Sequence, residues 1–212
     1  MSSKDQIWAP FAKEIGAEFI QPGLLTGTIL ENYKKWKIIL DTPKTGGYHS
    51  ECSYTRIRLA YLKKRNLDFK LYNKSFYSSI KKLFTSLEEN ESICPDFNKK
   101  FGIQCKEESL IPKLLNQDIL NQINSLKYPL LIEDKKELTR VDEAMQNYID
   151  QSWPGNIGVL HYFNDKVIKD TSELKKLLCL FKKLIDSLVD MDIAHDRKPD
   201  FEFELYFENK KK

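Results

Sequence analysis

The chain has 212 residues and a mass of 24.9 kDa, and 41% of its residues are hydrophobic. This length and apolar content are enough to bury a core, which excludes a wholly disordered chain although 31% of the residues are charged. The 34 lysines and arginines nearly balance the 31 aspartates and glutamates, and the resulting charge of +3 excludes a uniformly basic protein.

The first part of the chain predicts one helix followed by an antiparallel β-meander. The helix is expected from about Lys4 to Ile15, with Ser2 or Ser3 as its N-terminal cap. Turn signals then separate five strand-like segments: Ala17–Gln21, Thr26–Glu31, Trp36–Thr42, Glu51–Leu62 and Leu67–Asn73. An amphipathic helix over 75–84 follows them.

The second part of the chain predicts mixed helices and strands. The expected strands are Phe101–Cys105, Tyr128–Glu133, Ile157–Phe163, its extension Lys166–Ile168, and an edge strand Phe201–Phe207. Helices are expected at about Glu108–Leu115 and Asp118–Leu126. The clearest helix follows Asp170, because its leucines recur at spacings of three and four residues. Asp170 and Glu173 together predict a capping box at its start.

These elements predict an α+β fold: an antiparallel β-meander with packed helices and a long amphipathic helix near the C-terminus. We expect a single compact unit, 1–212, with two similar-sized halves at 1–84 and 95–208 joined by a polar loop, 85–94. No apolar run is long enough to span a bilayer, and the N-terminus does not resemble a secretory signal. Four widely spaced cysteines predict neither a zinc ribbon nor a redox pair, so we expect a reduced, cytoplasmic protein.

The sequence contains no recognisable catalytic or metal-binding motif. His49 lies near Cys52, but residues so close in sequence seldom form a nucleophile and its base. His161 is expected inside a strand, and His195 follows the last helix, where a cation is favourable without any catalytic role. His161 and Asp165 are too few ligands for a metal. We therefore predict no catalytic residue, no metal and no cofactor, with a hydrolase of unrecognised site as an alternative.

The positive charge is concentrated in one segment of the chain. Residues 1–106 hold 18 basic and 11 acidic groups, giving +7, whereas residues 107–212 hold 16 and 20, giving −4. The segment from Lys34 to Lys82 alone carries +10. Alternation in the fourth strand puts Tyr54, Arg56 and Arg58 on one side, where Lys37 and Lys70 of neighbouring strands are expected to join them.

This basic sheet face is the predicted binding surface: Tyr54, Arg56, Arg58, Lys37 and Lys70. The main hypothesis is a non-enzymatic protein that binds an acidic protein partner, a second copy of itself or another anion. Nucleic-acid binding through the same face is an alternative, because basic faces carrying aromatic side chains hold phosphates and stack bases. The alternative without a binding role is a solvated sheet face. Phosphate recognition favours arginine, and only five of the 34 basic residues are arginines.

Three ordered segments are similar to a family of uncharacterised bacterial cytosolic proteins. They are Tyr54-Thr55-Arg56, then Phe97-Asn98-Lys99-Lys100-Phe101-Gly102-Ile103, and Val167-Ile168-Lys169-Asp170 before the leucine-rich helix. Asn98 replaces the usual aspartate, and 85–93 lacks the glycine-containing segment of the family. The resemblance implies an α+β cytosolic protein and supplies no activity.

Overall fold

The computed structural model describes residues 2–21, 27–45, 52–75, 95–134 and 155–200. Their strands are β1 Glu18–Ile20, β2 Thr28–Tyr33, β3 Trp36–Asp41, β4 Lys44–Thr45, β5 Cys52–Ser53, β6 Thr55–Leu62, β7 Phe69–Asn73, β8 Phe101–Cys105, β9 Leu131–Asp134 and β10 Ile157–Asn164. Their helices are α1 Asp5–Glu14, α2 Pro95–Lys100, α3 Ile111–Leu114, α4 Gln117–Asn124 and α5 Thr171–Asp190. The predicted α+β class is confirmed.

Eight of these strands form one antiparallel sheet in the order β1-β2-β3-β6-β10-β9-β7-β8, while β4 and β5 pair as a separate ribbon. The strands β1, β2, β3 and β6 form the predicted meander. The next strand, β7, does not pair with β6 and lies instead between β9 and β8. Strands from the two predicted halves therefore interleave in one sheet.

One face of the sheet carries the main core and the described helices, and we call it the helix-covered face. The leucine stripe of α5 is buried there as its spacing predicts, together with Trp8 and Phe11 of α1. The Trp8 indole is fully buried and donates a 3.0 Å hydrogen bond to the Ile168 carbonyl. This bond fixes α1 against the segment that leads into α5. None of the described helices is long and apolar enough to cross a membrane.

The predicted helix caps form in part. The Ser2 hydroxyl accepts a hydrogen bond from the Asp5 amide at 3.1 Å, at the start of α1. The Asp170 carboxylate accepts from the Ser172 and Glu173 amides, so it caps α5 as expected. Glu173 does not complete the capping box, because its carboxylate accepts from the Lys127 amide and the Lys176 ammonium instead. The fully buried Glu173 thus joins α5 to the segment before β9.

Several boundaries differ from the sequence prediction. The segment predicted as one strand from Glu51 to Leu62 contains two strands, β5 and β6, that belong to different sheets. Lys166–Ile168 is not a strand, although the Lys166 carbonyl accepts hydrogen bonds from the Thr55 amide and hydroxyl. The helix predicted at Glu108–Leu115 is a 3-10 turn, Glu108–Leu110, followed by α3. The predictions for 76–84, 85–94, His49 and Phe201–Phe207 lie outside the described residues.

Candidate functional site

The five residues of the predicted binding surface lie on the sheet face opposite the helices, which we call the polar face. Arg56 and Arg58 alternate along β6 and face Asp41 and Ile39 of β3. Lys37 lies on the same side of β3 as Asp41, since the two are separated by an even number of residues. Tyr54 packs its ring against Phe163 of β10, with ring centroids 4.8 Å apart.

The polar face is not the open basic surface expected from the sequence. Arg56 and Arg58 are 9% and 5% exposed, and Tyr54 is 6% exposed. Lys37 and Lys70 are half-buried. The alternation of β6 correctly placed the two arginines on one side, but burial makes that side part of the interior.

A line of polar side chains crosses five adjacent strands of this face. Strand register places Arg58 opposite His161, His161 opposite Glu133, Glu133 opposite Lys70, and Lys70 opposite Gln104. We call these five residues the polar row. Lys70 is half-buried and the other four are at most 5% exposed. Five consecutive polar positions inside a sheet are unusual, because buried polar groups cost free energy unless they are paired.

The Asp41 carboxylate neutralises positive charge at the Arg58 end of the polar row. The Arg56 guanidinium donates from Nε and Nη2 to the two Asp41 oxygens at 2.8 and 2.7 Å, and Arg58 Nη2 donates to Asp41 Oδ2 at 2.8 Å. Burial alone would raise the pKa of Asp41, but the two guanidinium groups override it and lower that pKa to about 2. The fork of Arg56 is thus occupied by an internal carboxylate.

Glu133 occupies the centre of the polar row, between two bases. Its carboxylate lies 3.6 Å from Lys70 Nζ and 3.8 Å from His161 Nδ1. His161 is 2% exposed, and neither of its ring nitrogens has a hydrogen-bond partner among the described residues. A buried imidazole without such a partner is costly, and its nitrogens are suited to a ligand.

Apolar side chains border the polar row on both sides. An aliphatic cluster lies on one side, consisting of Leu30, Ile39, Ala60, Leu62, Ile157 and Val159. A cluster rich in aromatic rings lies on the other, consisting of Tyr54, Tyr72, Leu131 and Phe163. Such surroundings exclude water, so the charges of the row act more strongly on a neighbouring group than they would at the surface.

Other parts of the described chain are weaker candidates for a functional site. A hollow of about 510 Å³ lies between α3, α4 and α5, and another of about 480 Å³ lies between the β2–β3 turn and α5. Charged residues that line them already form ion pairs, for example Lys183–Asp118 and Lys34–Asp186. His195 lies beyond α5, and its amide donates to the Leu62 carbonyl. Within the described ranges, no group of three or more side chains could hold a metal ion.

Asp41, Glu133, His161 and Gln104 are the members of the site that were not predicted to belong to it. His161 was correctly placed in a strand, but its neighbours come from β6 and β9, which are distant in sequence. Each of the five strands contributes only one residue to the row. The sequence signal is therefore weak, and only strand order and register combine these residues into a row.

No family model matches this chain, no curated protein matches it, and no solved structure matches it. No activity, ligand or partner is therefore transferred from a relative.

Proposed function

We propose that this chain is a non-enzymatic binding protein that takes up one anionic group at the polar row. The observation that carries the proposal is His161, which is almost fully buried beside Arg58 and has no hydrogen bond at either ring nitrogen among the described residues. An oxyanion placed against this imidazole would accept the hydrogen bond that the described residues do not.

The charges of the site support an anion over a cation. Arg56, Arg58 and Lys70 carry three positive charges, whereas Asp41 and Glu133 carry two negative ones. A bound anion would balance this excess, and burial would strengthen its attraction to the neighbouring guanidinium. Hydrogen bonds between ionised groups are about twice as strong as neutral ones, which favours carboxylate, sulfate or phosphate groups.

The same chemistry fits a free ion and the acidic side chain of a protein partner, including another copy of this chain. A separate proposal concerns where the protein occurs: we propose the cytoplasmic location and the bacterial origin that the sequence predicts. Neither Cys105 nor Cys179 forms a disulfide in the described part of the chain, which supports a reducing compartment. Bacterial origin is supported by the family resemblance alone.

Calorimetric titration with sulfate, phosphate, acetate and a glutamate-rich peptide tests this proposal, with chloride at equal ionic strength as the control ion. We expect at least one oxyanion to bind in a one-to-one ratio, and Arg58→Gln to weaken it about tenfold or more, because a hydrogen bond to a charged group contributes about 1.5–3 kcal/mol. Binding of the peptide without the free ions would assign the site to a protein partner.

The matched control is Lys35→Gln, which removes an exposed lysine paired with Asp196 and should leave affinity unchanged. Heat signals that chloride reproduces, or equal weakening by the two variants, would contradict a specific anion site. If Arg58→Gln does not fold, the comparison of ions on the unmodified protein still decides the matter.

A hydrolase is a second candidate, and one observation favours it. The His161 imidazole lies beside the Glu133 carboxylate, as in pairs that orient a general base. Assays with aryl phosphate and aryl ester substrates would reveal this activity, and His161→Ala should abolish it if it exists. Turnover that depends on His161 would replace the non-enzymatic proposal.

Nucleic-acid binding has less support than the sequence indicated. Arg56 and Arg58 are buried and hold Asp41, so their guanidinium groups do not form an open phosphate-binding surface. Fluorescence anisotropy with single-stranded and duplex oligonucleotides at about 50 mM salt tests this alternative. Tight binding that Arg56→Glu and Arg58→Glu remove would restore it.

A further inference from the structure

We infer that the anion binds to the polar row together with one proton, which His161 takes up from solvent. This inference rests on the anion-binding function proposed above and adds a pH dependence to it. The geometry behind it is the position of His161 beside a carboxylate, with both ring nitrogens lacking a hydrogen-bond partner among the described residues. Nδ1 faces Glu133 Oε1 at 3.8 Å, which leaves Nε2 as the ring atom for the anion.

The hydrogen-bonding capacity of imidazole requires the proton. A neutral imidazole has one N–H group and one lone pair, whereas the imidazolium ion has two N–H groups. Glu133 can only accept a hydrogen bond when it is ionised, and so can a bound sulfate or carboxylate. With an anionic oxygen at each nitrogen, the neutral ring would direct its lone pair at one of them. The doubly protonated ring donates to both.

Some of the charged groups around His161 oppose a positive charge on its ring, and others favour it. Arg58 of β6 opposes a further positive charge, and so does Lys70 of β7 beyond Glu133. Glu133 of β9 favours it, while Asp41 of β3 is already held by Arg56 and Arg58. A bound anion adds a second negative charge next to the ring, and this shifts the balance towards the imidazolium form.

Calorimetry with sulfate in buffers of different ionisation enthalpy measures the number of protons taken up, and sulfate itself does not titrate between pH 6 and 8.5. We expect close to one proton to be taken up per sulfate bound. Where one proton is taken up, the dissociation constant should rise about tenfold per pH unit. His161→Gln should remove the pH dependence, and His195→Gln, a control outside the site, should keep it.

The experiment distinguishes failure of the proton-uptake inference from failure of the proposed anion binding. Sulfate that binds with the same affinity across this range, without proton uptake, would overturn the inference and leave the anion site in place. If sulfate, the other oxyanions and the glutamate-rich peptide all fail to bind at any pH, the proposed function itself fails. Should His161→Gln not fold, the proton count of the unmodified protein still gives the answer.

Discussion

At the scale of single residues, Asp41 determines whether two buried arginines can be accommodated. Its side chain is 13% exposed and accepts three hydrogen bonds from Arg56 and Arg58, whose side chains are 11% and 6% exposed. Removing one partner of a buried ion pair leaves the other charge uncompensated, which costs more than the pair contributes.

Asp41→Asn should therefore lower the free energy of unfolding by about 3–5 kcal/mol at pH 7, measured by urea denaturation. The pKa of Asp41 is about 2 in the folded protein, below its ordinary value of 3.8. Its contribution is thus complete above about pH 4 and is lost as the pH falls through 2. The control Asp196→Asn, at an exposed ion pair, should cost at most about 1 kcal/mol. Equal losses in the two variants would contradict this account.

The pKa of Asp134 is raised, whereas that of Asp41 is lowered. It ends β9 on the helix-covered face, opposite Leu160. Burial raises its pKa to about 6 and nearby Asp68 adds to this, although the Tyr61 hydroxyl and Lys63 favour the charged form. Folding therefore favours the protonated carboxyl group. The stability that it contributes is complete below about pH 4 and is lost as the pH rises through 6.

Asp134→Asn should stabilise the protein above pH 6, because an amide carries no charge to desolvate. The gain is of the order of 3 kcal/mol at most, from a shift of about two pKa units. It should shrink towards zero at pH 4. Urea denaturation from pH 4 to 8 gives the profile, with Asp165→Asn at an exposed position as the control. A wild type that shows no loss relative to Asp134→Asn above pH 6 would refute this assignment.

At the scale of elements, two tyrosines lie over cross-strand glycines. Tyr61 of β6 faces Gly158 of β10, and Tyr72 of β7 faces Gly102 of β8. A methyl group added at either glycine would meet the tyrosine ring at 2.4 Å. Both tyrosines are at most 1% exposed and have little room to move. The glycines thus provide the space that these large side chains need.

Gly158→Ala should lower stability by about 1–3 kcal/mol, because the added methyl group overpacks a close-packed site. Thermal or urea unfolding measures the loss. Gly155→Ala is the matched control, since nothing lies within 4 Å of the added atom. A loss no greater in Gly158→Ala than in this control would show that Tyr61 shifts without cost.

Elements differ in how far local sequence determines them. The leucine spacing of α5 and the alternation of β6 were sufficient to predict the buried stripe and the shared side of Arg56 and Arg58. The burial of these arginines was missed because it depends on Asp41 of β3, and strand pairing is not encoded in either strand alone. For the same reason the position of β7, between β9 and β8, could not be read from its sequence.

At the scale of the whole molecule, the path of the chain creates the candidate site. Because β7 leaves the meander and pairs with β9, Lys70 comes to face Glu133, and β10 brings His161 between Glu133 and Arg58. The net charge of +3 conceals this concentration of charge in the interior. Two residues of the predicted basic face, Arg58 and Lys70, belong to this polar row, whose His161 has no hydrogen-bond partner among the described residues.

The most direct test of the anion site is a sulfate titration followed by NMR of the histidine ring nitrogens. We predict that the His161 resonances shift and saturate in a one-to-one ratio, while those of His195 stay in place. His161 resonances that stay unchanged with sulfate, phosphate, acetate and the glutamate-rich peptide, or that shift together with those of His195 in proportion to ionic strength, would contradict an anion site at the polar row.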